Sequence, residues 1–324
     1  MAKKSLLRSL GVSLGLTASI LFGNSQAVYA QDAQKTKTEI AENQEFLEYL
    51  EKSLSGSEHY QSVKDKLNDK TPLTKSEHQQ RRRYAVILNG DLLGHGDNVE
   101  EAYKTLNHSG FEDKNLFILS RFLPEDIGKE SVTGMAYQTN LREVFNYLER
   151  TVDKNDLFVI YATGHAELNG DRARLQLAFE PIDSADFKKI VEKIKAQDYI
   201  FVTDTCYSGA IAKELSDLEG NVLSISSTDA EHVTYCKSFI VPFWRVLRNG
   251  EGAREADANM NRKVDIGEAF NYAFKKHRED DKLDKKEAEK ILKEHPEMEH
   301  LKKVREESAD AQFYCTKNWI NELK

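Results

Sequence analysis

Cysteine, proline and basic charge are all scarce in this chain, and each scarcity excludes a class of protein. Three cysteines in 324 residues cannot staple a disulfide-built scaffold. Five prolines and 17 glycines exclude a collagen-like or Pro/Gly-rich low-complexity chain. Lys and Arg number 46 against 54 Asp and Glu, for a formal net charge of −8. A surface of that sign does not neutralise phosphates, so a general nucleic-acid binder is excluded. It also lacks the basic face that anionic membranes attract. What the chain does have is 40% hydrophobic and 31% charged residues, the balance of a soluble globular protein. Its length suits one large domain or two small ones.

Residues 1–30 read as a secretory signal peptide. Lys3, Lys4 and Arg8 form a basic start, residues 10–22 (LGVSLGLTASILF) an apolar core, and Val28 and Ala30 the small residues of a cleavage site. The apolar run falls short of the ~20 residues a spanning helix needs. The expectation is a secreted or periplasmic protein with no stable membrane insertion once the signal is removed. In that oxidising setting Cys236 and Cys315 could pair and leave Cys206 as a thiol; three unpaired thiols are the alternative.

Residues 31–83 are polar, with a helical stripe at Ile40, Phe46, Leu47, Leu50 and Leu54, and read as a helical pro-segment or brace. Arg81–Arg83 close it, as a solvated strand start or a processing site. From Tyr84 apolar runs and helical stripes alternate. Runs at 84–88, 116–119, 157–162, 199–203 and 222–226 read as buried strands, with a short extra one at 174–179. Between them, Val99, Ala102, Tyr103 and Leu106 share one helical face, as do Leu141, Val144, Phe145 and Leu148, and then Phe187, Ile190, Val191 and Ile194. Helical sequence also covers 239–247, and helices dominate from 268. The pattern predicts an α/β fold, a doubly wound and mainly parallel sheet with helices on both faces. The domain spans 84–272, and a charged helical C-terminal extension spans 273–324, a solvated face or a partner-binding element.

Ligands of such folds bind beyond the carboxyl ends of the strands. That rule selects 89–98, 163–167 and 204–209. In the last, Asp204-Thr205-Cys206-Tyr207-Ser208-Gly209 follows a buried strand and leads into a helix. Helix N-terminal amides favour a thiolate there. In Thr163-Gly164-His165-Ala166-Glu167, His165 sits just past the 157–162 run. A thiol and an imidazole at neighbouring strand ends are what nucleophilic cysteine chemistry requires, because the imidazole takes the thiol proton and returns it to the leaving amine.

A strand ending in Gly-His, followed about forty residues later by one ending in Asp-x-Cys-x-Ser-Gly, resembles the clan CD cysteine peptidases, which include caspases, metacaspases and legumain-like enzymes. The resemblance runs from about Tyr84 to Tyr272. It includes Asn98–Tyr103, similar to the first helix of legumain-like members, and Ser226–Glu231, similar to the segment bordering their substrate cleft. It implies a caspase-like sheet, Cys206 as nucleophile, His165 as general acid/base, and an oxyanion hole made by the backbone N–H groups of Cys206 and Ala166. Substrate-binding residues would be Asp204, Asp97, His95, Ser226 and Ser227. The acid two residues before the nucleophile lines the pocket for the residue preceding the cut in related enzymes, which implies a basic residue there; Asp204 as a helix N-cap is the alternative. The chain departs from the pattern at Ala166, where many members have Gly, and at Gly94, where legumain-like members have Arg. The implied activity is a cysteine endopeptidase acting on protein or peptide substrates with no required cofactor. A transpeptidase using the same pair, or a non-catalytic scaffold on the same sheet, are the alternatives.

One motif lies outside this scheme. Asp257, Asn259, Asn261, Lys263, Asp265 and Glu268 fall at positions 1, 3, 5, 7, 9 and 12 of an EF-hand-like loop, with Lys263 contributing its carbonyl. That spacing suits Ca²⁺, a hard cation that takes six to eight oxygens. Arg262 stands where the turn wants Gly, so a degenerate loop capping the helix from Glu268 is the other reading.

Overall fold

The chain divides into two units, Met1–Tyr49 and Leu50–Lys324, and the fold concerns the second. The computed structural model describes residues 52, 54, 55, 58–91, 95–121, 132–170, 172–178, 180–233, 238–294 and 311–315. The signal segment, the stripe from Ile40 to Leu50, and Cys236 lie outside these residues.

In chain order the elements are α1 (Glu58–Asn68), α2 (Lys75–His78), β1 (Arg83–Asn89), α3 (Gly96–His108), β2 (Leu116–Ser120), α4 (Gln138–Thr151) and β3 (Leu157–Thr163). A small excursion follows, β4 (Ala166–Asn169), β5 (Arg172–Leu175) and β6 (Ile182–Asp183). Then come α5 (Ser184–Val191), β7 (Asp198–Asp204), α6 (Ser208–Ser216), β8 (Asn221–Ser226), α7 (Ile240–Leu247), α8 (Ala253–Ala256), α9 (Ile266–Glu294) and β9 (Gln312–Cys315). The main sheet runs β2-β1-β3-β7-β8-β9, parallel throughout except for β9. Strands β4, β5 and β6 form a separate antiparallel sheet. The architecture is α/β, a six-stranded and mostly parallel sheet flanked by helices.

The alternation of side chains along each strand builds two cores. Tyr84, Val86 and Leu88 of β1 and Phe158, Ile160 and Ala162 of β3 belong to a cluster with Val63 and Leu67 of α1, Phe145 and Leu148 of α4, Phe187 of α5 and Leu215 of α6. Residues of the opposite parity face the other layer, where Tyr161 meets Trp244 of α7 edge-to-face at 5.3 Å. There α7 packs on α3 and α9. With both faces covered, the strands are buried end to end, which is why they read as unbroken apolar runs rather than alternating ones.

The basic triplet 81–83 opens β1 with Arg81 exposed, but Arg82 is paired rather than solvated. The Arg82 guanidinium lies 2.8 Å from the carboxylate of Asp156, whose side chain is wholly buried, and Arg81 pairs with Asp198 at 2.6 Å. These pairs tie β1 to the amino ends of β3 and β7, at the edge of the sheet opposite the strand ends that carry Cys206 and His165. Helix α9 runs through positions 272 and 273, and residues 312–315 pair with β8 as a strand. Among the described residues no helix is long and apolar enough to cross a membrane.

Candidate functional site

Strand register assembles the site. Asn89 of β1 pairs with Thr163 of β3, and Thr163 pairs with Asp204 of β7. The three strands therefore end level. Asp91, His165 and Cys206 each stand two residues beyond one of those paired ends, in the order carboxylate, imidazole, thiol across the sheet. Neighbouring strands lie about 4.8 Å apart, so the three groups are set at adjacent positions along one rim.

Cys206 is half-buried and sits in a sharp turn. Tyr207 adopts φ +57°, a left-handed conformation uncommon for a bulky residue, and α6 starts at Ser208. The loop after β8 clamps that turn. The Tyr207 N–H donates to the His232 carbonyl at 2.8 Å, and the Gly209 N–H to the Asp229 carbonyl at 3.2 Å. The approach is so close that a Cβ on Gly209 would lie 2.5 Å from the carbonyl carbon of Asp229. The Thr228 N–H donates to the Ser208 hydroxyl at 3.1 Å. Ser226 and Ser227 are buried at the start of the same loop; Ser226 donates to the Thr228 carbonyl at 2.7 Å.

His165 is reached through Gly164, at φ +125°, and its side chain is 65% exposed. Its Nε2 lies 3.5 Å from Asp91 Oδ1. The carboxylate raises the imidazole pKa, against the opposing effects of burial and of Arg121. The Gln176 N–H donates to the His165 carbonyl at 2.9 Å, so the next antiparallel pair, Ala166 with Leu175, is of the non-hydrogen-bonded kind. The Ala166 N–H therefore turns away from β5. Ala166 is not among the residues at positive φ, so alanine is unstrained where many clan CD members have glycine.

Asp204 is buried, 1% exposed. It accepts hydrogen bonds from the amide of Asn98 at 2.9 Å and the hydroxyl of Thr163 at 3.2 Å, and Ser227 bonds it as well. Burial drives its pKa up, and nearby His95 and these bonds partly oppose the rise. Asp204 is thus held by α3 and β3 rather than capping α6, whose start carries no side-chain cap bond. His95 is buried with it, and its Nδ1 lies 2.7 Å from the Thr163 hydroxyl and 3.0 Å from the Asn98 amide nitrogen. Asp97 is exposed in the first turn of α3.

Sequence reasoning missed Asp91, Arg121 and the amide of Asn98. Asp91 lay inside the stretch 89–98, and the level strand ends were the signal that would have singled it out. The Asn98 carbonyl oxygen is buried without a hydrogen-bond partner.

The 257–268 loop keeps its carboxylates for its own backbone. Asp257 accepts from the N–H groups of Asn261 and Arg262 at 3.0 and 2.8 Å, and Asn261 accepts from Lys263 at 2.8 Å. Glu268 accepts from Asn259 and Asp265, both at 3.1 Å, while its own N–H donates to Asp265 at 2.9 Å. The last two bonds are a reciprocal cap on α9. Arg262 takes φ +68°, the turn that would otherwise use glycine. Among the described residues, no three His, Cys, Asp or Glu side chains gather as a metal-ligand group.

No protein-family model matches the chain, and no curated protein matches it either.

Proposed function

We propose that the protein is an exported cysteine endopeptidase built on a caspase-like sheet, with Cys206 and His165 as its catalytic pair. The observation that carries this reading is the register of β3 and β7, which sets the imidazole and the thiol at the same level beyond adjacent strand ends. The Cys206 sulfur attacks the scissile carbonyl carbon, and the thiol proton is held on His165. The tetrahedral oxyanion faces the N–H groups of Cys206 and Ala166. The C–N bond breaks as His165 protonates the departing amine. Water, giving a proton to His165, then attacks the thioester, and the acid product leaves with the thiol restored. The raised pKa of His165 suits this cycle because it keeps the imidazolium available to the amine. An amine in place of that water would give transpeptidation.

A basic residue before the cut is the substrate class the local charge supports. Asp91 stands beyond β1 next to His165 and Asp204 ends the strand that carries Cys206, and the buried Asn98 carbonyl oxygen lacks a donor that an ammonium or guanidinium would supply.

The test is labelling of the full chain with an iodoacetamide probe near neutral pH, followed by turnover of Arg, Lys, Asn and Asp reporter peptides. Cys206 should react well ahead of a free thiol in an unstructured peptide, and Cys206→Ala should abolish turnover. Labelling of Cys206 no faster than that of a free thiol in an unstructured peptide, with unchanged turnover in Cys206→Ala, would remove the peptidase reading and leave a scaffold. Fastest turnover of the Asn or Asp peptide would remove the basic preference alone.

A further inference from the structure

Asp91 faces two imidazoles. Its Oδ1 lies 3.5 Å from His165 Nε2, and its Oδ2 lies 3.7 Å from His95 Nε2. The two rings stand edge to face, with centroids 6.2 Å apart and planes at 79°. His165 is largely open to solvent, whereas His95 is enclosed.

The hydrogen-bond network fixes the orientation of the His95 ring. The Asn98 amide nitrogen lies 2.9 Å from a carboxylate oxygen of Asp204, which accepts, so the NH₂ end of the amide faces that way. The same NH₂ lies 3.0 Å from His95 Nδ1. On that side Nδ1 also meets the Thr163 hydroxyl at 2.7 Å, which leaves Nε2 as the ring nitrogen turned toward Asp91. The Asp91 backbone is fixed from the other side, its N–H donating to the Asn89 side chain at 3.0 Å. A directional chain results. Asn98 at the start of α3 orients His95, His95 turns its Nε2 to Asp91, and Asp91 presents its other oxygen to His165.

We infer that Asp91 is the positioning residue of the catalytic pair, and that buried His95 acts through it rather than by touching substrate. The inference rests on the peptidase reading of Cys206 and His165. Asp91 holds the proton of His165 on the Nε2 side and turns Nδ1 toward the rim where Cys206 lies. His95 keeps the carboxylate from rotating away into solvent. Other charged groups around this carboxylate and imidazole are Arg121 beyond β2, which opposes protonation of His165, and Asp204 at the end of β7, 3.8 Å from His95 Nδ1. Because Arg121 is itself within electrostatic reach of Asp91, removal of the carboxylate leaves His165 facing an unbalanced cation.

The experiment uses the full chain and four proteins: wild type, Asp91→Asn, His95→Phe and His95→Gln. Two readouts are taken for each. One is the His165 titration, followed by NMR of the imidazole C–H signals. The other is the pH profile of reporter-peptide hydrolysis, with KM and kcat separated. In Asp91→Asn the His165 titration should move to lower pH. The alkaline limb of the rate profile should move with it, and kcat should fall about 100-fold, the scale of a misplaced catalytic group, with KM little changed. His95→Phe should reproduce both effects in part. His95→Gln should restore them, because its amide can donate to Asp91 and accept from Asn98. An unmoved His165 titration in Asp91→Asn overturns the inference whatever the activity. Equal behaviour of His95→Phe and His95→Gln overturns the part assigned to His95. Should His95→Phe not fold, Asp91→Asn decides, since its side chain is 14% exposed and an amide of the same shape replaces it. Failure of the peptidase reading shows separately, as turnover that persists in Cys206→Ala.

Discussion

Replacement of Asp156 by Ala should be among the most damaging single changes to the sheet. The carboxylate is wholly buried at the start of β3. It accepts from the Arg82 N–H at 2.8 Å, from Arg82 Nε at 3.3 Å and Nη2 at 2.8 Å, and from the Asp153 N–H at 2.9 Å. Loss of one partner of a buried, hydrogen-bonded ion pair costs about 3–5 kcal/mol, because the other charge is left without compensation. Arg82 keeps some relief in Asp153, 3.3 Å away, and in the Thr151 carbonyl at 2.8 Å, so the lower end of that range applies. A loss of about 3 kcal/mol in a domain of this size lowers Tm by roughly 6–12 °C. Urea unfolding of wild type, Asp156→Ala, Arg82→Met and the double variant closes a thermodynamic cycle. The double variant should recover the part of the loss due to the uncompensated guanidinium, while the Arg82 and Asp153 N–H groups that Asp156 accepted from stay unpaired. A loss below about 1 kcal/mol for Asp156→Ala would refute the claim that this pair holds the amino edge of the sheet. The pair sits at the far end of β1 and β3 from the reactive rim, so folded Asp156→Ala should label at Cys206 as wild type does.

Two further outcomes are expected. Gly209→Ala should force the 229–230 backbone aside, cost about 1–3 kcal/mol as overpacking does, and slow labelling of Cys206 by shifting its turn; wild-type stability and labelling would contradict the close approach. His165 has a raised pKa because Asp91 stabilises its charged form, so its contribution to stability is fully present below the unfolded value of about 6.5 and is lost as pH rises through the folded value. The urea midpoint difference between wild type and His165→Ala should therefore shrink from pH 5.5 to pH 8.5, and a difference that grows over that range would reverse the assignment.

The five main parallel strands were legible in the sequence because burial on both faces leaves a short apolar run after each turn, although residues 239–244 make an equal run at the start of α7. Helices α3, α4 and α5 followed from a single stripe each. Strand β4, Ala-Glu-Leu-Asn, is mostly exposed and exists because the turn after it folds β5 back against it, so no local pattern betrays it. Strand β9 is four residues long with alternating partial exposure, and its place is set by β8 rather than by its own composition. At the site, Cys206 and His165 were legible as residues that follow strands. Asp91 was not, since an acid after a strand is ordinary until the alignment of three strand ends is known. The paired arginines hid for a related reason: a basic triplet reads as solvated unless the acids that receive it, Asp156 and Asp198, are known to begin the neighbouring strands.

The sixth strand carries a cost in assembly. Residue 315 pairs with residue 223, so this contact closes a far longer span of chain than most of the sheet. Contacts between positions so far apart in sequence form late, because loop closure must be met before the pairing returns anything. Until then β8 presents an open, apolar edge of N–H and C=O groups, the kind of edge that recruits strands from other molecules. During folding, the interval before residues 312–315 arrive is when the protein is most exposed to misassociation, and that hazard lies beside the very loop that clamps Cys206.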